Sequence, residues 1–319
     1  MLAFENILQR IESEISQLQF TNPPKSLYEP IEYILSLGGK RIRPALTLMA
    51  CNIYNNSIEN AIKPALGLEV FHNFTLLHDD LMDEADKRRN KPTVHNTAIL
   101  SGDAMLIAAY QLIGSTEHGH LKQVLDLFTQ TAAEICGGQQ FDMEFESRMD
   151  VSEEEYIEMI RLKTAVLLAC SLKTGALLGG ASQEDAGNLY AFGINIGLAF
   201  QLQDDLLDVY GDTATFGKNI GGDILCNKKT FLLINALRLA NKEQAEALRS
   251  WMDKKEFDPA QKIQAFTSIY NELQLKQLTE NKIQAYYDAS VENLKALRVA
   301  PEKLTILKEV CDHLMHRQS

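Results

Sequence analysis

Apolar residues recur at intervals of three and four along almost the whole chain, and strict alternation over five or more residues is rare. That period is helical, because 3.6 residues complete a turn and every third or fourth side chain returns to one face. Pro, Gly, Asn and Asp interrupt the pattern at 21–25 (TNPPK), 86–93 (DKRRNKPT), 115–120 (STEHGH), 179–187, 211–229 and around Pro259 and Pro301. The segments between run about 15 to 30 residues, longer than the usual globular helix. Helices of that length normally surround a shared core or cavity. The expected fold class is therefore all-α, one large helical domain over residues 1–319 around a central cavity, since no Pro/Gly/Ser linker divides the chain.

Composition sets limits on function. Of 319 residues 45% are hydrophobic and 23% charged, enough to bury a large core. A net charge of -12 and a pI near 5.1 exclude general nucleic-acid binding, which needs a basic face. Any bound phosphates must be held by local basic clusters or metal ions. The most apolar stretch, 165–180, is interrupted by Lys173, so no membrane span is expected. The N-terminus, MLAFENILQRIESEISQL, reads as an amphipathic helix with acidic residues rather than a signal peptide, which points to the cytoplasm. Cys51, Cys136, Cys170, Cys226 and Cys311 form no CxxC pair and are expected to be buried, reduced thiols.

One motif occurs twice. LLHDDLMDEAD (76–86) and QLQDDLLDVYGD (201–212) both place DDxxD late in an apolar helix, followed by a basic loop containing Gly or Asn. On a helix Asp79 and Asp83 stack about 6 Å apart along one face, while Asp80 turns roughly 100° away. Gln201, Asp204, Asp205 and Asp208 form a single stripe. A lone DDxxD is usually a solvated acidic face. Here, however, both clusters sit near helix C-termini, where negative charge is unfavourable unless a cation compensates it. Magnesium, which takes a few carboxylates plus waters and substrate phosphates, suits two such half-sites on facing helices. No His/Cys spacing fits zinc.

Basic residues punctuate the same chain. Lys40, Arg41 and Arg43 stand in GGKRIRP, with Pro44 fitting a first helical turn. Arg88 and Arg89 follow the first aspartate helix, Lys163 and Thr164 lie within an apolar run, and Lys218, Lys228 and Lys229 flank a Gly-rich loop. Arginine forks and lysine point charges together suit a pair of diphosphates. His72, two turns before Asp79 on nearly the same face, is a further candidate. No nucleophilic Ser or Cys arrangement is present.

Taken in order, GGKRIRP, HDDLMDEADKRRNKPTVH, GDAMLIAAY, GGQQFD, the Lys163–Thr164 pair, FQLQDDLLDVYGD and GKNIGGD with NKKT closely resemble the polyprenyl (isoprenyl) diphosphate synthases over about 37–230. The resemblance implies a helical fold around a deep cavity, a homodimer and three magnesium ions between the DDxxD helices. It implies that Asp79 and Asp83 hold two ions and Asp204 the third, with Asp80, Asp205 and Asp208 near them. Arg88, Lys163, Lys218 and Lys228 would grip the allylic diphosphate, with Thr164 and Gln201 beside the reacting carbon. Lys40, Arg43, His72 and Arg89 would hold isopentenyl diphosphate. Asn90 and Asn227 stand where many members of the family have glycine.

Product length is expected to depend on Phe71, Phe74 and Thr75, which lie eight, five and four residues before Asp79. At about 1.5 Å per residue, an aromatic floor at Phe74 backed by Phe71 leaves room for a few isoprene units. In the resembled family an aromatic five before the motif, with a small residue at four, favours C20 over C15 products. Two rivals remain. A non-catalytic regulatory subunit would have lost an aspartate motif, and a terpene cyclase would not need the second basic set.

Overall fold

The structure, a computed structural model, describes residues 2–89, 91–211 and 220–315. It is helical, as the apolar period requires. Among the described residues the one extended pairing is a minimal antiparallel ladder, β1 (Lys87–Arg88) with β2 (Lys91–Pro92). The helices are α1 (Phe4–Ser16), α2 (Lys25–Ser36), α3 (Ile42–Tyr54), α4 (Glu59–Met82), α5 (Ala98–Gly114), α6 (His118–Ser147), α7 (Glu153–Ile160) and α8 (Val166–Gly179). They continue with α9 (Gln183–Tyr210), α10 (Gly222–Leu225), α11 (Phe231–Leu239), α12 (Lys242–Asp253), α13 (Pro259–Glu272), α14 (Leu275–Lys295) and α15 (Thr305–Met315). The breaks fall where Pro, Gly and Asn cluster, and several helices begin on the caps their sequences specify. Ser152 and Glu155 form a capping box ahead of three glutamates in the first turn of α7, and Asp258 caps α13 with Pro259 in its first turn.

The chain divides into two compact units. The first comprises Met1–Gln130, Cys170–Tyr190 and Leu297–Leu307. Its centre is α4, whose inner residues Leu66, Leu68, Val70, Phe71 and Leu77 are buried against α3 and α5. The second comprises Thr131–Ala169, Ala191–Ala296 and Lys308–Ser319. Its core gathers Tyr156, Phe192, Phe231, Phe266 and Tyr270.

Three local features depart from the sequence reading. Lys163 and Thr164 do not sit in a regular α-helix: 161–165 is a π-helical turn joining α7 to α8. It packs closely against α6, where a Cβ on Gly138 would come within 2.4 Å of the Lys163 backbone nitrogen, so only glycine allows the approach. π-bulges are rare and cluster at functional positions. Secondly, all five cysteines are free, but only Cys51, Cys170 and Cys311 are buried; Cys136, within α6, and Cys226, at the end of α10, are exposed, since an apolar-looking stretch does not fix which face a given position takes. Thirdly, 153–179 is long and apolar enough to cross a membrane, yet 83% of its most apolar window is buried inside the protein, as in a core helix.

Candidate active site

In the first unit, α4 delivers the first aspartate motif at its C-terminal end. Asp79 is half-buried, Asp80 is 4% exposed, and Asp83 is the exposed C-cap. No basic residue occupies the last turn of α4 or of α9, so neither helix compensates its own aspartates at the negative pole of its dipole. Arg88 returns from the ladder to clamp Asp80: its Nε lies 2.9 and 2.8 Å from the two carboxylate oxygens, and Nη2 lies 2.7 Å from Oδ1. The same Nη2 is 3.7 Å from Asp79. Asp80 is thereby tied to Arg88, in keeping with its turn away from the Asp79–Asp83 face.

Beside this lies a cationic cluster. Arg41, in the left-handed conformation at the start of α3, is 4% exposed and donates to Glu12, Glu69 and the Leu35 carbonyl, each at 2.8 Å. It fixes the loop that presents exposed Lys40 and half-buried Arg43. Arg43 Nη1 lies 3.0 Å from His72 Nε2. An arginine has no acceptor, so His72 accepts and is the neutral tautomer with its proton on Nδ1. Burial, then the charges of Arg43, Arg89, Arg88 and Arg41, hold the imidazole well below its ordinary value. Arg89 reaches the same loop through Gly39 (φ +144), whose missing Cβ would stand 2.8 Å from the guanidinium. Arg43 Nε is buried with no hydrogen-bond partner. Arg43, Arg89 and neutral His72 thus stand together beside Arg88, which is engaged by Asp80.

The rings expected to set product length lie on α4 in the same unit. Phe74 is 9% and Phe71 1% exposed, and the Thr75 hydroxyl is satisfied by the His72 carbonyl. Phe74 packs on Phe71 at 5.4 Å between centroids, Phe71 on Phe128 of α6 at 5.1 Å, and Phe128 on Tyr110 of α5 at 4.8 Å. The sequence reading did not find Phe128 or Tyr110, because their register against α4 is a long-range fact.

The second unit carries the other motif. Thr164 donates to Gln201 Oε1 at 3.2 Å, Gln201 donates to Asp205 Oδ1 at 3.1 Å, and Tyr156 donates a short hydrogen bond to Asp205 Oδ2. Burial and the charge of Asp223 push the Asp205 carboxyl up to about 7. Lys163 pairs with Asp142 at 2.6 Å. Although burial raises the Asp142 carboxyl, Lys228 and Lys163 hold it below the usual carboxylate range. A cavity of about 50 Å³ lies among Asp142, Tyr156, Lys163, Thr164, Gln201, Asp205 and Lys228. Asp204 is half-buried, and Asp208 Oδ2 accepts from the backbone of Asp223 at 3.0 Å, which ties α9 to the start of α10. Asp142 and Tyr156 had no assigned role in the sequence, although GGQQFD already marked Asp142. Lys218 lies outside the described residues.

The donors at 79, 83 and 204 are carboxylate oxygens, the ligand type of a hard cation. Among the described residues no three His, Cys, Asp or Glu groups converge into a ready-made cage. Magnesium is such a cation, and it takes only a few carboxylates, completing its octahedron with water and substrate phosphate.

Residues 24–270 match the polyprenyl synthetase family. The chain belongs to that family. Among polyprenyl synthetases it is similar to the geranylgeranyl diphosphate synthase of Methanosarcina mazei, 34% identical over 98% of this chain and 97% of that one. A crystal structure of a geranylgeranyl pyrophosphate synthase matches all of both chains, with a TM-score of 0.94 and 41% identity. The geranylgeranyl pyrophosphate synthetase of Pyrococcus horikoshii matches 98% of each chain, with a TM-score of 0.92 and 30% identity. Magnesium dependence is a general property of the polyprenyl synthetases.

Proposed function

We propose that this polyprenyl synthetase is a short-chain trans-prenyltransferase that condenses isopentenyl diphosphate with allylic diphosphates, with geranylgeranyl diphosphate as its product. The observation that carries the reading is the Arg43–His72–Arg89 cluster, with a buried guanidinium nitrogen lacking a partner. A diphosphate held there is additional to the one served by Lys163 and Lys228. Two diphosphates are what a condensation needs; a terpene cyclase needs one.

In the reaction the allylic C–O bond breaks and the diphosphate leaves with the electron pair. The alkene of isopentenyl diphosphate attacks the allylic cation, forming the new C–C bond, and a proton passes to the departed diphosphate. In this reading Lys163, Lys228 and Arg88 bind the leaving group, with Thr164 and Gln201 beside the reacting carbon. Asp79, Asp83 and Asp204 would hold magnesium, three ions in all, which when bound neutralises charge growing on the leaving oxygen. Lys40, Arg43, His72 and Arg89 hold the second substrate, and neutral His72 can donate from Nδ1 without adding charge. Both aspartate motifs are intact, which distinguishes this chain from a regulatory subunit.

The rings from Phe74 back to Phe128 support a short product, because they form an unbroken aromatic run behind the motif. The enzyme acts as a homodimer. In support, Ile99, Leu100 and Ile107 of α5 are 59%, 67% and 61% exposed, an apolar row on the most apolar helix, which a second copy would cover. Incubation with labelled isopentenyl diphosphate and C5, C10 or C15 allylic partners, followed by product sizing, tests the function.

A further inference from the structure

Lys228 leaves the backbone from a turn that is held by a buried lysine. Lys262, in the first turns of α13, is 0% exposed. Its Nζ donates to the Leu225 carbonyl at 3.1 Å and to Asn227 Oδ1 at 2.7 Å. The rest of the ammonium faces rings, with the Phe257 centroid at 4.3 Å and that of Phe266 at 5.9 Å. Among the described residues no Asp or Glu pairs with it. Burying an ammonium on neutral acceptors and ring faces is costly, and burial lowers its pKa accordingly. A core role alone would be filled by leucine or methionine without that cost.

The charge has a visible target. Asn227 has φ +56, a conformation that residues with a Cβ seldom adopt. Both ends of its side-chain amide are used: Oδ1 takes the Lys262 bond, and Nδ2 donates to the Met252 carbonyl at 3.1 Å. The next residue is Lys228, whose backbone N–H donates to Asp223 at 2.9 Å before Thr230 caps α11. Lys228 itself is exposed, and its side chain lines the cavity beside Asp142, whose carboxyl its charge helps hold down.

We propose that Lys262 is a positioning residue for Lys228: it fixes Asn227 in the left-handed conformation and so directs Lys228 into the cavity shared with Asp142, Lys163 and Asp205. The inference rests on Lys228 being a ligand of the allylic diphosphate.

The test uses the full-length enzyme with magnesium and varies each substrate separately. Lys262→Met keeps the buried stem and removes the charge. The KM for the allylic diphosphate should rise about tenfold, the loss of one charged hydrogen bond to phosphate, while that for isopentenyl diphosphate stays within about twofold. Asn227→Gly adopts positive φ unaided. In that background Lys262→Met should raise the allylic KM by less than about threefold, a coupling that general destabilisation would not produce. If Lys262→Met does not fold, Asn227→Ala carries the same forecast, because it removes the acceptor and keeps the Cβ. Lys228→Ala separates the two levels. An unchanged allylic KM there overturns the role of Lys228, and this inference with it. A raised value in Lys228→Ala, beside folded Lys262→Met or Asn227→Ala with an unchanged allylic KM or an equal rise for both substrates, overturns the inference alone.

Discussion

Asp79 and Asp80 are neighbours in the chain and differ in exposure and in how closely Arg88 holds them: Asp80 is buried with the guanidinium at 2.7 Å, while Asp79, 3.7 Å from it, is half-buried at the end of α4 with exposed Asp83. Asp79→Ala, Asp83→Ala and Asp204→Ala should therefore each lower turnover at least about a hundredfold with little change in melting temperature, since the loss falls on charge stabilisation of the leaving group. Assays in magnesium buffer beside thermal melts check this, and near wild-type turnover for any one removes that residue from the metal set. His72 gives a pH forecast. Its folded pKa is depressed, so below the ordinary value of about 6.5 the unfolded chain binds a proton that the fold refuses. Stability is present above that value and is lost as pH falls through it toward the folded pKa. His72→Gln, which still accepts from Arg43, should lose less melting temperature than wild type between pH 7 and 5; parallel losses would contradict the neutral imidazole. The individual aspartates and basic residues were legible in the sequence because their types and spacing are local. The structural role of Arg41 was not, because the carboxylates that pair with it lie 28 and 29 residues away in sequence.

At the scale of elements, α4 joins the first aspartate motif to the rings behind it. Phe74→Ala should lengthen the product by one isoprene unit or more, and adding Phe71→Ala should extend it further, until Phe128 closes the space. A purely structural role predicts instead a loss of about 3 to 5 kcal/mol for each ring and an unchanged product. Chromatographic sizing beside thermal melts separates the two. Helix existence and the late position of both DDxxD motifs followed from the three-and-four period, since that period records which face is buried. The π turn at 161–165 did not, because in a run apolar on all sides one extra residue leaves no mark on the pattern. The minimal ladder after α4 was legible only as a break, two-residue strands being too short to show alternation.

For the whole molecule, composition and period together identified the all-α class, whereas the division into two compact units depends on contacts between distant segments and left no linker in the sequence. The apolar row on α5 makes the proposed dimer testable: Leu100→Glu with Ile107→Glu should leave monomers in sedimentation velocity where the unaltered chain is dimeric, and an unchanged mass would contradict an interface on α5. The central claim, that this polyprenyl synthetase joins two diphosphate substrates to a C20 product, has one direct measurement. Purified enzyme is given labelled isopentenyl diphosphate with a C5, C10 or C15 allylic diphosphate, with magnesium or with excess chelator, and the products are sized by chromatography. Label is expected in a C20 diphosphate in magnesium and almost none with chelator, as metal-assisted coupling of two diphosphates requires. Absence of any coupled product from all three allylic partners in magnesium would contradict it.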